Sequence, residues 1–168
     1  MKQFTIYQIN GKKENARNFM FTGLEMLEHL GIKKQLTMDL YDKVYDGEIE
    51  EDGDLDDIFA VFQGKKPEGY KGRSLSVSDI IRIEEKFFFC DDFAWVDITS
   101  ELPKPKLKQG EKYECIEDYV MDDGRIAYKK GETYEMVSDE NLNDEQDCAN
   151  HKMNDERDFY VYFKKVEA

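Results

Sequence analysis

The sequence predicts an α+β protein: a mixed α/β domain over residues 1–103, followed by a small all-β barrel over residues 104–168. Three observations carry this. Helix-like and strand-like periods alternate through the first hundred residues, and turn-punctuated strand patterns fill the rest. Between them, Leu102 to Leu107 sets two prolines among lysines, which interrupts helix and sheet alike and marks a linker. Finally, hydrophobic residues make up 40% of the chain and aromatics 13%, too much apolar and ring surface for a disordered acidic chain.

In order along the first domain, Phe4, Ile6 and Tyr7 to Ile9 form an opening strand that Asn10-Gly11 closes with a favoured turn pair. Phe19, Met20, Leu24, Leu27 and Leu30 then recur at helical spacing. They predict a helix from Asn15 to Leu30, with Gly31 as its left-handed carboxyl cap. The run from Asp42 to Asp57 reads as a solvated acidic loop leading into a second helix. That helix has Asp54 at its amino cap, Leu55, Ile58, Phe59 and Phe62 on one face, and Gly64 at its stop. Asp56 and Asp57 in its first turn suit the helix dipole. Alternation of Leu75 and Val77 with Ser74, Ser76 and Ser78 predicts a strand with the serines facing out and Asp79 at its end. Ile80, Ile81 and Ile83 continue in strand style, and residues 87–98 read as a hairpin turning near Cys90, Asp91 and Asp92.

The second half is nearly all strand. Tyr113, Cys115 and Ile116 begin it, Asp123-Gly124 makes a hairpin turn, and Ile126, Tyr128, Tyr134, Met136 and Val137 follow. A polar loop covers residues 138–154, and Phe159 to Phe163 closes the chain as an aromatic strand.

Charge is the chain's most distinctive property. The formal net charge is −14, and residues 42–57 hold nine carboxylates against Lys43 alone, a net of −8. Residues 1–103 as a whole have 13 Lys/Arg against 21 Asp/Glu, also a net of −8, so the rest of that domain is balanced. A concentrated negative patch repels nucleic acid and draws basic surfaces, so a protein partner is expected and direct nucleic-acid binding is not. No stretch approaches the roughly 20 apolar residues that span a bilayer, and the amino terminus shows no signal core. Three widely spaced cysteines, Cys90, Cys115 and Cys148, form no disulfide framework. A soluble, cytoplasmic protein with reduced thiols is the expectation.

Candidate chemistry is sparse, and the expectation is of no catalytic residues, no metal and no cofactor. Asp52, Asp54 and Asp56 alternate like the first ligands of an EF-hand. Yet Asp57 and Gln63 stand where such a loop needs glycine and a bidentate glutamate. His29 sits near the end of a predicted helix, where a cation suits the dipole. Cys148 and His151 are spaced like one half of a metal site, but structural zinc wants four ligands. Cys90 beside Asp91 and Asp92 has carboxylates that would raise its thiol pKa, which argues against a nucleophile. No glycine-rich loop precedes a helix, so Arg73 reads as a structural or anion-contact residue.

The stretch from Asp56 to Ile83 orders a short helix, a proline, Gly69-Tyr70 and the string GRSLSVSD over residues 72–79, with the aromatic hairpin behind it. This resembles the YodL-like domain, an accessory module of phage and conjugative-element proteins. The part from Tyr113 to Phe163 is similar to small SH3-like barrels of phage-encoded proteins. The resemblance implies a protein of a bacteriophage or mobile element at work in a bacterial host, and it carries no catalytic residues with it.

Context and charge together lead to an acidic, DNA-mimic-like inhibitor, anti-CRISPR or anti-restriction in kind. It would bind a basic host protein, such as a CRISPR effector or restriction nuclease, through Asp46, Glu48, Glu50, Glu51, Asp52, Asp54, Asp56 and Asp57. The alternatives are an adaptor of a mobile-element or virion assembly, and an enzyme built around Asp79, Arg73 or His151.

Overall fold

Alternation in the opening strand, β1 (Lys2–Ile9), puts Phe4, Ile6 and Gln8 on one face and Tyr7 and Ile9 on the other, and all five are buried. A strand buried on both faces belongs inside a sheet. β1 lies between β2 (Tyr41–Ile49) and β3 (Ile80–Ile83) in an antiparallel sheet of order β2-β1-β3-β4-β5, completed by β4 (Lys86–Cys90) and β5 (Trp95–Asp97). The computed structural model describes residues 1–144, 151–153 and 159–166. The chain divides into two compact units, Met1–Glu101 and Leu102–Ala168. It is an α+β protein with more strand than helix, and none of its described helices is long and apolar enough to cross a membrane.

The predicted first helix is divided. A single 3-10 turn spans Ala16–Asn18, Phe21 takes a left-handed φ of 59°, and the α-helix α1 covers only Leu24–His29. Tertiary partners explain the break. The Phe21 N–H donates to Ser78 Oγ at 2.9 Å and the Leu24 N–H to Asp91 Oδ1 at 2.9 Å, so distant side chains take amides that an unbroken helix would pair internally. Gly31, with φ of 70°, ends the segment left-handed as the sequence predicts, and His29 is the last residue of α1.

The second helix forms as read. α2 (Leu55–Gln63) starts at Asp54, whose carboxylate accepts the N–H groups of Asp56 (2.9 Å) and Asp57 (3.0 Å), while Asp57 accepts the Asp54 N–H at 3.0 Å. This reciprocal capping box satisfies amide donors that the first turn leaves over. Ile58 and Phe62 then pack with Phe4, Ile6, Leu75 and Ile81 on one face of the sheet. The Phe62 ring meets those of Tyr70 at 4.8 Å, Tyr45 at 5.1 Å and Phe4 at 6.2 Å.

Two further expectations about this unit fail. The acidic run is not simply a loop, because Tyr41–Ile49 is the edge strand β2, paired with β1 along its length through a bulge near Ile6 and Tyr7. Residues 74–78 are not a strand with serines outward. Ser78 adopts a φ of 80°, both Ser78 and Asp79 are fully buried, and regular pairing begins only at Ile80.

In the second unit β6 (Lys112–Cys115) is flanked by β9 (Thr133–Glu135) and β12 (Phe163–Lys165). β7 (Tyr119–Val120) pairs with β8 (Ile126–Tyr128) across the predicted Asp123-Gly124 turn, and β10 (Asn141–Leu142) pairs with β11 (His151–Lys152). The closing aromatic segment is a helical turn, α3 (Phe159–Tyr162), before it becomes strand. The spacing of Phe159 and Phe163 explains this. Four residues apart, they bury and stack on each other at 4.7 Å, a contact a helical turn provides and a strand does not. Their rings meet Tyr113 (5.0 Å) and Tyr128 (5.1 Å) edge-on at the centre of this unit's core.

Candidate functional site

All eight carboxylates expected to meet a partner are exposed. They follow one another along the outer half of β2, the turn after it and the first turn of α2. Six of them already hold groups of their own chain. Asp46 pairs with Lys43 Nζ at 2.9 Å and accepts from Thr5 Oγ1 at 2.9 Å, and Glu48 accepts from Gln3 Nε2 at 2.5 Å. Thr5 and Gln3 are the direct cross-strand partners of those two residues, so sheet register makes both contacts. Glu51 receives the amino terminus at 2.9 Å, which lowers its carboxyl below the usual range. Asp54 and Asp57 form the capping box, and Asp56 accepts from Trp95 Nε1 at 3.2 Å. Glu50 and Asp52 make no such contact among the described residues.

Beside this acidic stretch lies an apolar cleft of about 170 Å³, walled by Tyr45 and Ile49 of β2, by Ile58, Val61 and Phe62 of α2, and by Pro67, with Glu48 and Asp57 also lining it. Val61 is 49% exposed, an aliphatic side chain left outside the buried Ile58 and Phe62 of α2. Small-molecule pockets usually run from about 300 Å³ upward, so this cleft has room for a single side chain and not for a cofactor.

A carboxylate held by several donors lies elsewhere. Asp79 is fully buried. Its Oδ2 accepts from Arg73 Nη1 (2.8 Å), Gln8 Nε2 (2.9 Å) and the Ser76 N–H (2.9 Å), and its Oδ1 from Arg73 Nη2 (2.5 Å). Burial raises this carboxyl above the usual range, and Arg73, Ser76 and Gln8 pull it back. Gln8 also exchanges two hydrogen bonds with the Arg73 backbone, at 2.9 and 3.0 Å. A Cβ on Gly72 would stand 2.4 Å from Gln8 Oε1, so only glycine lets that approach occur. The buried Ser78 carbonyl accepts from Tyr41 OH at 2.8 Å, and the Phe21 ring covers the Arg73 guanidinium at 4.6 Å.

Both carboxylate oxygens of Asp79 thus accept from donors of the chain itself. This is a clamp holding residues 72–79 against the sheet, and Arg73 takes the structural role read for it. Sequence reasoning missed Gln8 and Tyr41. Gln8 offered one signal, a polar residue inside an apolar strand.

Cys90 carries no nucleophile's environment. Burial and the nearby Asp79 and Asp91 push its thiol up to about 11, and burial does the same to Cys115. Among the described residues no group of three or more His, Cys, Asp or Glu is placed to hold a metal ion. Of the Cys148 and His151 pair, Cys148 lies outside the described residues.

The YodL-like domain family matches residues 3–100, well over half the chain and nearly the whole first unit. The chain belongs to that family. The match covers both the Asp79 clamp, which is built from the GRSLSVSD string that carried the resemblance, and the acidic stretch from β2 to α2 of this YodL-like domain. No curated protein and no solved structure matches the chain.

Proposed function

We propose that this YodL-like protein is a non-enzymatic binding protein of a phage or mobile element, acting in the cytoplasm of the bacterial host on a basic host protein. The observation that carries the reading is the run of eight exposed carboxylates between Asp46 and Asp57, next to an apolar cleft. Charge of one sign speeds the encounter with a cationic surface, and an apolar contact supplies the affinity that rim charges lack. In its sharper form the partner is a nucleic-acid-binding defence protein, a CRISPR effector or restriction nuclease, whose DNA groove the carboxylates occupy as phosphate mimics. The second unit, on this reading an SH3-like small barrel, offers a further contact surface.

The test must spare the residues that hold the fold. Glu50→Gln with Asp52→Asn removes two charges that the folded chain does not use internally. Against such a nuclease, the association rate is expected to fall several-fold at low salt, with a flatter salt dependence. An unchanged rate and slope would remove charge-guided inhibition.

A second reading is favoured by the internal pairing of six of the eight carboxylates. In it the protein is an adaptor of a mobile-element or virion assembly, and the acidity serves folding and solubility. Capture of a phage structural protein from infected cells in place of a basic nuclease distinguishes it.

A further inference from the structure

We propose, resting on the binding-protein reading, that the open edge of β2 and the adjoining cleft take an extended, lysine- or arginine-bearing segment of the partner by β-strand addition. Among the described residues only β1 pairs with β2 as a strand, so one side of its backbone has no strand beside it. The edge already takes a backbone donor of its own chain. The Lys71 N–H reaches the Val44 carbonyl at 3.3 Å, just before Tyr45–Ile49, where the cleft begins. A strand continuing along that edge would pair its main chain with β2 and alternate its side chains between two faces.

The two faces differ, and they specify the occupant. Toward α2, the cleft bounded by Tyr45, Ile49, Val61 and Phe62 fits one apolar side chain. Asp46 and Glu48, two residues apart, alternate with Tyr45 and Ile49 along β2, Glu48 also lining the cleft, and Glu50, Glu51 and Asp52 stand just beyond the strand. The matching segment alternates cationic and apolar residues. A second copy of this chain does not match, because pairing two β2 edges would set carboxylates against carboxylates.

The probe is a fluorescein-labelled peptide alternating Lys and Val over eight residues, titrated by anisotropy against the full chain. Three results are expected: saturable binding, amide shifts at Tyr45–Ile49 in NMR spectra, and at least a tenfold loss of affinity with Val61→Arg, whose exposed site tolerates the larger side chain. A peptide of the same charge with alternate amides N-methylated is expected to lose a similar factor, because it cannot extend the ladder. Equal binding of the parent and N-methylated peptides would overturn strand addition and leave charge attraction alone. Absence of peptide binding while a host nuclease still binds and responds to Glu50→Gln with Asp52→Asn would likewise overturn it, with the binding reading intact. Peptide binding lost on Val61→Arg without capture of any basic host protein would support strand addition and count against the host-protein reading.

Discussion

The acidic edge and the Asp79 clamp are opposite uses of the same functional group. The edge gathers eight exposed carboxylates, six of which hold one or two groups of their own chain at the surface, where solvent screens ion pairs and weakens them. The clamp spends one buried carboxylate, and four donors converge on it. The difference teaches that charge density along the sequence is a poor guide to where a carboxylate matters for folding. The eight charges concentrated over residues 46–57 all stand exposed, within a partner's reach. The one the fold needs most stands alone between Ser78 and Ile80.

The sharpest way to break this comparison is Asp79→Ala. It strands the Arg73 guanidinium and the Gln8 amide, and loss of a buried pair's partner typically costs about 3–5 kcal/mol. Because Arg73 keeps 28% exposure, the low end, about 3 kcal/mol, is expected in urea unfolding. A loss under 1 kcal/mol would reduce the clamp to a surface-like contact.

Cys90, whose N–H bonds to the Asp79 carbonyl, reports on the same interior. A thiol raised from 9.0 to about 11 holds about 100-fold less thiolate near neutral pH. Peptide-resolved alkylation at pH 8 is therefore expected to be slow at Cys90 in the native chain and faster in Asp79→Ala, where burial still holds the thiol up but one neighbouring carboxylate is gone. The sign of the linkage follows. With its pKa raised on folding, the protonated thiol favours the folded state fully below about pH 9, and that contribution is lost as pH climbs through about 11.

At the edge the expected effects are smaller. Asp54→Ala removes the amino cap of α2 and should cost about 1 kcal/mol in the same unfolding assay. Glu50→Gln with Asp52→Asn should change stability by less than about 0.5 kcal/mol while slowing partner association. A larger loss of stability there would mean that these charges, too, serve the fold.

The features legible in the sequence are those decided by near neighbours. Asp54, Asp57 and Gly64 bracket α2 within eleven residues, so capping and the Ile58 to Phe62 spacing sufficed to place it. The opening strand and the hairpin of residues 87–98 rest equally on two-residue alternation and a local turn. Only the tertiary structure decided the rest. Phe21 meets Ser78 across 57 positions of chain and Gln8 meets Asp79 across 71, so the interrupted first helix and the burial of Ser78 and Asp79 have no local signature. The acidic run became an edge strand because Gln3 and Thr5 of β1 offered it both a backbone ladder and side-chain donors. Periodicity reports which residues share a face. The hydrogen bonds that stop a helix or sink a charge come from partners that only folding brings within reach.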